Sequence, residues 1–184
     1  MHIVVIPGTN RRGSYSLKLA KIIEADLLAR SCTVDLLELA LTPEFLADDV
    51  YKAPHPSVTA LVTRFLKADG VYFIVPEYNG SYPGILKLFI DQLPYPENFD
   101  QRPCAFIGLA AGQFQSLRAV EHLQGVTGYR HAYNYPVRVF IGDVKKSVSP
   151  EGVITEPKLA ERLMAQAEGF VRFIKRMKHD PDRA

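Results

Sequence analysis

The chain has 184 residues, 47% hydrophobic and 23% charged, with 22 Lys+Arg against 20 Asp+Glu for a formal charge of +2. At about 100–200 residues per domain, this length predicts one domain over residues 1–184 with a full core, and the composition excludes a disordered chain, a fibrous repeat and a disulfide-stapled miniprotein. So small a basic surplus gives no stripe for nucleic acid, and no run approaches the roughly 20 apolar residues of a membrane span.

Short β-branched runs predict strands at His2–Pro7, Thr33–Leu37, Val71–Val75, Cys104–Leu109 and Val137–Ile141. Between them, 3.6-residue periodicity predicts helices near Ser16–Arg30, Ser57–Ala68, Pro83–Leu93, Ser116–Val126 and Pro157–Lys178. Residues 39–56, with Pro43, Pro54 and Pro56, read as a long irregular surface connection, and the tail after Met177 as frayed. Several strands are apolar nearly throughout, as expected when helices cover both faces. Strict alternation predicts an α/β three-layer sandwich around a five-stranded parallel sheet. The positive charges follow the first apolar run, the reverse of a signal peptide. Cys32 and Cys104 form no CxxC, so the expected setting is a reducing cytoplasm.

Parallel sheets of this kind bind ligands beyond the carboxyl ends of their strands, so the loops at 7–16, 76–83, 110–115 and 142–156 matter most. The first runs Gly8-Thr9-Asn10-Arg11-Arg12-Gly13-Ser14-Tyr15-Ser16 into a helix. Unpaired N–H groups at a helix start attract phosphate, hydroxyls add donors, and an arginine adds a charge-assisted pair. A plain N-cap is the simpler account of the same Ser, Thr and Gly. Gly8-xxxx-Gly13 imitates a P-loop, but Ser14 stands where the triphosphate-binding lysine belongs, and Asn10 breaks GxGxxG. A terminal phosphomonoester, as on a nucleotide monophosphate, fits the donors best.

The loop after strand three runs Pro76-Glu77-Tyr78-Asn79-Gly80-Ser81-Tyr82-Pro83-Gly84. Pro76 ends the strand, Asn79-Gly80 favours a tight turn with positive φ, and Pro83 suits a helix start. Such a loop exposes N–H groups and flat side chains suited to a planar heterocycle. A punctuated turn alone, or Glu77 as a metal-binding carboxylate, are the other accounts.

Together the two loops resemble the NAD(P)H-dependent FMN reductase family, which includes quinone, azo-dye and chromate reductases of the flavodoxin-like fold. Its Gly-Ser-x-Arg-x-Gly-Ser-x-Asn stands here as Gly8, Thr9, Arg11, Gly13, Ser14 and Ser16. Its Pro-Glu-Tyr-Asn-x-Ser-x-Pro-Gly is unchanged at Pro76–Asn79, Ser81, Pro83 and Gly84, and Lys87 and Asp91 continue it. Gly108–Gly112 and Arg118–Leu123 resemble the family's third segment. Leu88 and Gln92 depart from the usual Asn and Trp.

The resemblance implies the flavodoxin-like strand order 2-1-3-4-5. It implies an FMN phosphate at Thr9, Arg11, Ser14 and Ser16, and a flavin ring against Pro76, Glu77, Tyr78 and Asn79 with Ser81 nearby. Ala111, Gly112 and Gln113 then approach the pyrimidine edge. It further implies NADPH or NADH as donor, with hydride passing through flavin N5 to a quinone, azo compound, free flavin or similar small acceptor. No catalytic side chain is required, because the cofactor carries the chemistry. A homodimer or homotetramer is expected. An electron carrier like flavodoxin, and a nucleotide-binding module without redox activity, are the competing readings.

His2, His55, His122, His131 and His179 show no ligand spacing, so no metal is expected. Lys87–Asp91 and Arg118–Glu121 read as helix ion pairs, and the cations from Arg172 to Lys178 as partners of a helix dipole. Tyr129, Tyr133 and Tyr135 suit either a substrate pocket or packing.

Overall fold

A computed structural model of the chain describes residues 1–39, 44 and 52–178. Most of the connection predicted over residues 39–56, the tail beyond Lys178 and His179 lie outside the described residues. Strands β1 (His2–Pro7), β2 (Thr33–Leu36), β3 (Gly70–Pro76) and β4 (Pro103–Leu109) stand within one residue of their predicted bounds at each end. Helices α1 (Tyr15–Ala29), α2 (Pro56–Leu66), α3 (Gly84–Asp91), α4 (Leu117–Tyr129) and α6 (Pro157–Lys178) occupy the predicted stretches, and a one-turn α5 spans Val144–Ser147.

All ladders are parallel, in the order β2-β1-β3-β4-β5. That is the flavodoxin-like order, with its reversal between β1 and β3. The predicted fifth strand differs. Its place is shared by β5 (Tyr133–Asn134), beside Pro103–Cys104, and β6 (Val139–Ile141), beside Ile107–Leu109. Pro136 falls in the gap and has no N–H for a ladder. The buried amide of Gln166 fills it, donating to the carbonyls of Phe106 (2.9 Å) and Val137 (2.8 Å).

Alternation along the strands sorts side chains into two cores. Val4, Ile6, Val71, Phe73, Val75 and Phe106 face α2, α3 and α4, while Ile3, Val5, Tyr72, Ile74 and Ile107 face α1 and α6. Both faces are dry, which accounts for strands that are apolar at every position. Each buried Val, Leu, Ile or Phe contributes about 1.5–3 kcal/mol. This core holds the carboxyl ends of β1, β3 and β4 side by side, so the loops that leave them start from fixed points.

Candidate functional site

The first loop leaves β1 under close packing. The Gly8 N–H donates to the Ile74 carbonyl at 2.8 Å, and a Cβ on Gly8 would sit 3.0 Å from that oxygen. Gly13 turns the chain at φ +64°, with open space where a side chain would be. Ser14 then caps α1, its hydroxyl oxygen accepting from the Leu17 N–H at 3.1 Å. Ser14 is therefore the N-cap of α1, and its hydroxyl proton remains able to donate. Thr9, 5% exposed, accepts from the Arg11 N–H at 3.2 Å and meets the Tyr78 hydroxyl at 2.9 Å.

The second loop is the tight turn that Asn79-Gly80 predicts. Asn79 and Gly80 have φ of 51° and 76°, and Tyr78 and Ser81 exchange both backbone hydrogen bonds across them, at 2.8 and 3.0 Å. Two central residues at positive φ make this a primed turn. Ser81 Oγ lies 2.9 Å from His122 Nδ1, which ties the turn to α4.

The third loop is held by Glu77. Its carboxylate accepts from the Ser116 N–H at 3.0 Å, and the Ser116 hydroxyl donates to the Val75 carbonyl at 2.8 Å. Gln115 and Ser116 both adopt left-handed backbone, φ 53° and 68°, which side chains rarely take. Among the described residues no group of three His, Cys, Asp or Glu is placed to hold a metal ion. Glu77 serves the loop instead.

The three loops enclose a cavity of about 300 Å3. Thr9, Arg11, Ser14 and Ser16 line one side, Pro76, Glu77 and Tyr78 another, and Ala111 a third. Four other predicted residues lie outside its lining. Asn79 is exposed at the turn, Ser81 bonds to His122, and Gly112 and Gln113 line a neighbouring cavity of about 550 Å3 that shares Ala111. The lining also holds Lys145, which the sequence reading passed over although it lay in a loop singled out there. The hydroxyls, arginines and helix start fit a phosphomonoester, and the proline-bounded wall beside them fits a flat ring.

Elsewhere, Lys87 and Asp91 form the expected pair at 2.7 Å. The Arg118–Glu121 pair is corrected. Arg118 instead lies over the Phe114 ring at 4.6 Å, and Glu121 approaches Arg138 at 3.9 Å. Tyr135 packs against Phe170 and Phe173, and neither it, Tyr129 nor Tyr133 reaches either cavity. No helix among the described residues is long and apolar enough to cross a membrane.

The sequence matches the NADPH-dependent FMN reductase family over residues 1–146. An NAD(P)H-dependent FMN reductase of Pseudomonas aeruginosa is 29% identical over 96% of both chains. A 2-hydroxy-1,4-benzoquinone reductase of Burkholderia sp is 32% identical over 70% of this chain and 71% of its own. Among solved structures, the flavoenzyme NAD(P)H:(acceptor) oxidoreductase FerB of Paracoccus denitrificans overlays with a TM-score of 0.82 at 28% identity, covering 96% of this chain and 98% of that one. A family match over most of the chain, with relatives alike over nearly their whole length, makes this protein a member of the NADPH-dependent FMN reductase family, an oxidoreductase that works with FMN and NAD(P)H.

Proposed function

We propose that the 300 Å3 cavity holds FMN and that the enzyme passes electrons from NAD(P)H to small acceptors of the quinone or free-flavin kind. The observation that carries this reading is the junction of two unlike surfaces in one cavity. The hydroxyl and arginine donors of the first loop meet the proline-bounded wall of Pro76–Tyr78 there. The names of the relatives, quinone reductases among them, favour the acceptor class.

Bound FMN supplies the redox chemistry between nicotinamide and acceptor. The chain's own work is positional. Thr9, Arg11, Ser14 and Ser16 hold the phosphate at the start of α1, where partial positive charge adds to the arginine. Pro76, Glu77, Tyr78 and Asn79 support the ring through a turn fixed by its own hydrogen bonds, with Ser81 anchoring that turn to His122. Ala111, Gly112 and Gln113 border the ring from the loop that Glu77 holds. No side chain is assigned as acid or base.

A single domain, a cytoplasmic setting and a homodimer or homotetramer belong to the same reading. The half-exposed Phe114, at 51%, and Leu117, at 41%, beside the site offer apolar surface for a second copy. The test is an absorbance spectrum after loading with FMN and desalting, followed by NADPH under nitrogen. Flavin bands that bleach with NADPH and return with a quinone support a reductase. Bands that persist favour an electron carrier, and absence of retained flavin together with absence of NADPH oxidation would overturn the reading.

A further inference from the structure

We propose that Lys145 is a further ligand of the cofactor's phosphate and that it makes the cavity select FMN over riboflavin. The proposal rests on the FMN reading above. Of the charged side chains lining the cavity, Arg11, Arg12 and Lys145 are cations and Glu77 alone is an anion. The Glu77 carboxylate is engaged by the Ser116 N–H. The lining is therefore matched to a ligand bearing about two negative charges, as a phosphomonoester does near neutral pH.

The backbone directs Lys145 to this place. Beyond β6 the chain turns through Asp143, at φ 44°, and the Val144 N–H donates to the Ala110 carbonyl at 3.1 Å, pinning the segment to the third loop. The Val144 side chain is buried, 6% exposed, in the core beneath α1 and α6. Val144 and Lys145, adjacent in α5, both line the cavity. The two adjacent lysines have different partners: Lys146 Nζ pairs with Asp143 at 2.6 Å, outside the lining. Lys145 has no carboxylate partner among the described residues and faces the cavity that Arg11 and Arg12 also line. A lysine ammonium is a mobile point charge, suited to a phosphate whose geometric contacts are already made by hydroxyls and N–H groups.

The test is fluorescence titration of wild type, Lys145→Ala, Lys145→Arg and Lys146→Ala with FMN and, separately, riboflavin, with thermal melts to show that each variant is folded. Wild type should favour FMN. Lys145→Ala should weaken FMN about tenfold or more, as for loss of a charge-assisted contact, and leave riboflavin within about twofold. Lys145→Arg should restore most of the preference, and Lys146→Ala should keep it. The dependence of FMN affinity on salt should flatten in Lys145→Ala alone. An unchanged FMN-to-riboflavin ratio in a folded Lys145→Ala would overturn the assignment while leaving FMN binding intact. A wild type that binds neither flavin would instead overturn the FMN reading itself.

Discussion

Thr9 Oγ1 and the Tyr78 hydroxyl meet at 2.9 Å, joining residues 69 positions apart across the reversal between β1 and β3. This contact locks the proposed phosphate loop to the proposed ring-binding turn. Tyr78→Phe keeps the ring, 40% exposed in the wild type, and deletes only the hydroxyl. FMN affinity should fall by about 1 kcal/mol, the net worth of a typical hydrogen bond, with little change in thermal midpoint. Flavin titration beside a melting curve separates the two effects. An unaltered affinity would mean that the loops hold their spacing without the bond.

Arg11 lines the same cavity, and its side chain makes no hydrogen bond or ion pair among the described residues. Arg11→Ala should therefore cost little stability and weaken FMN by roughly 1.5–3 kcal/mol, the range for hydrogen bonds to charged groups. Riboflavin binding should barely move. Equal losses for both flavins would place Arg11 elsewhere than at the phosphate.

Glu77 sits within the unchanged Pro-Glu-Tyr-Asn motif, yet its carboxylate holds backbone. Glu77→Ala leaves the Ser116 N–H without its acceptor beneath a left-handed pair of residues, a loss of about 1–3 kcal/mol. Glu77→Gln keeps an amide oxygen at the same reach and should recover most of it. Hydrogen exchange at residues 110–116 gives the direct readout, faster in the alanine variant and near wild type in the glutamine one. Wild-type exchange in the alanine variant would show that the loop keeps its shape without this contact.

Gln166 is the polar centre of the second core. Its oxygen accepts from the Tyr72 hydroxyl at 2.5 Å, while its nitrogen donates to two carbonyls at the break between β5 and β6. Gln166→Leu matches the size and strands the buried Tyr72 hydroxyl and Phe106 carbonyl, with the part-buried Val137 carbonyl beside them, so unfolding in urea should show a loss of about 2 kcal/mol or more. Tyr72→Phe removes one bond and should cost about 1–2 kcal/mol. A leucine variant as stable as wild type would mean that water satisfies these groups.

Gln166 also marks where sequence reading stopped. In an amphipathic helix a glutamine reads as solvent-facing, and only the interruption at Pro136 gives it unpaired carbonyls to serve, the buried one of Phe106 and the part-buried one of Val137. The strands were legible because burial on both faces forces apolar runs, as in Val71–Val75. The Asn79-Gly80 turn was legible because few other residue pairs adopt positive φ twice. The Glu77–Ser116 contact joins residues 39 apart. Lys145 reaches the cavity through the Val144–Ala110 bond. Both depend on strand order, which local patterns do not encode.

Asp35 at the edge strand β2 receives two hydrogen bonds from the Arg64 guanidinium of α2, at 2.9 and 2.5 Å. Those bonds hold the Asp35 carboxyl below its usual value, against a smaller opposing effect of burial. A carboxylate depressed in the folded state contributes stability above its unfolded value and loses it as pH falls through the folded one. Solvent reaches both partners, with side chains 41% and 23% exposed, so the contribution at neutral pH should be about 1 kcal/mol. Asp35→Asn keeps an acceptor and removes the charge. The stability gap between wild type and Asp35→Asn should be constant above about pH 5 and close as pH drops below about 4. Urea unfolding from neutral pH down to well below pH 4 measures it. A gap that persists unchanged at the acid end would assign the difference to packing of the amide and not to the charge.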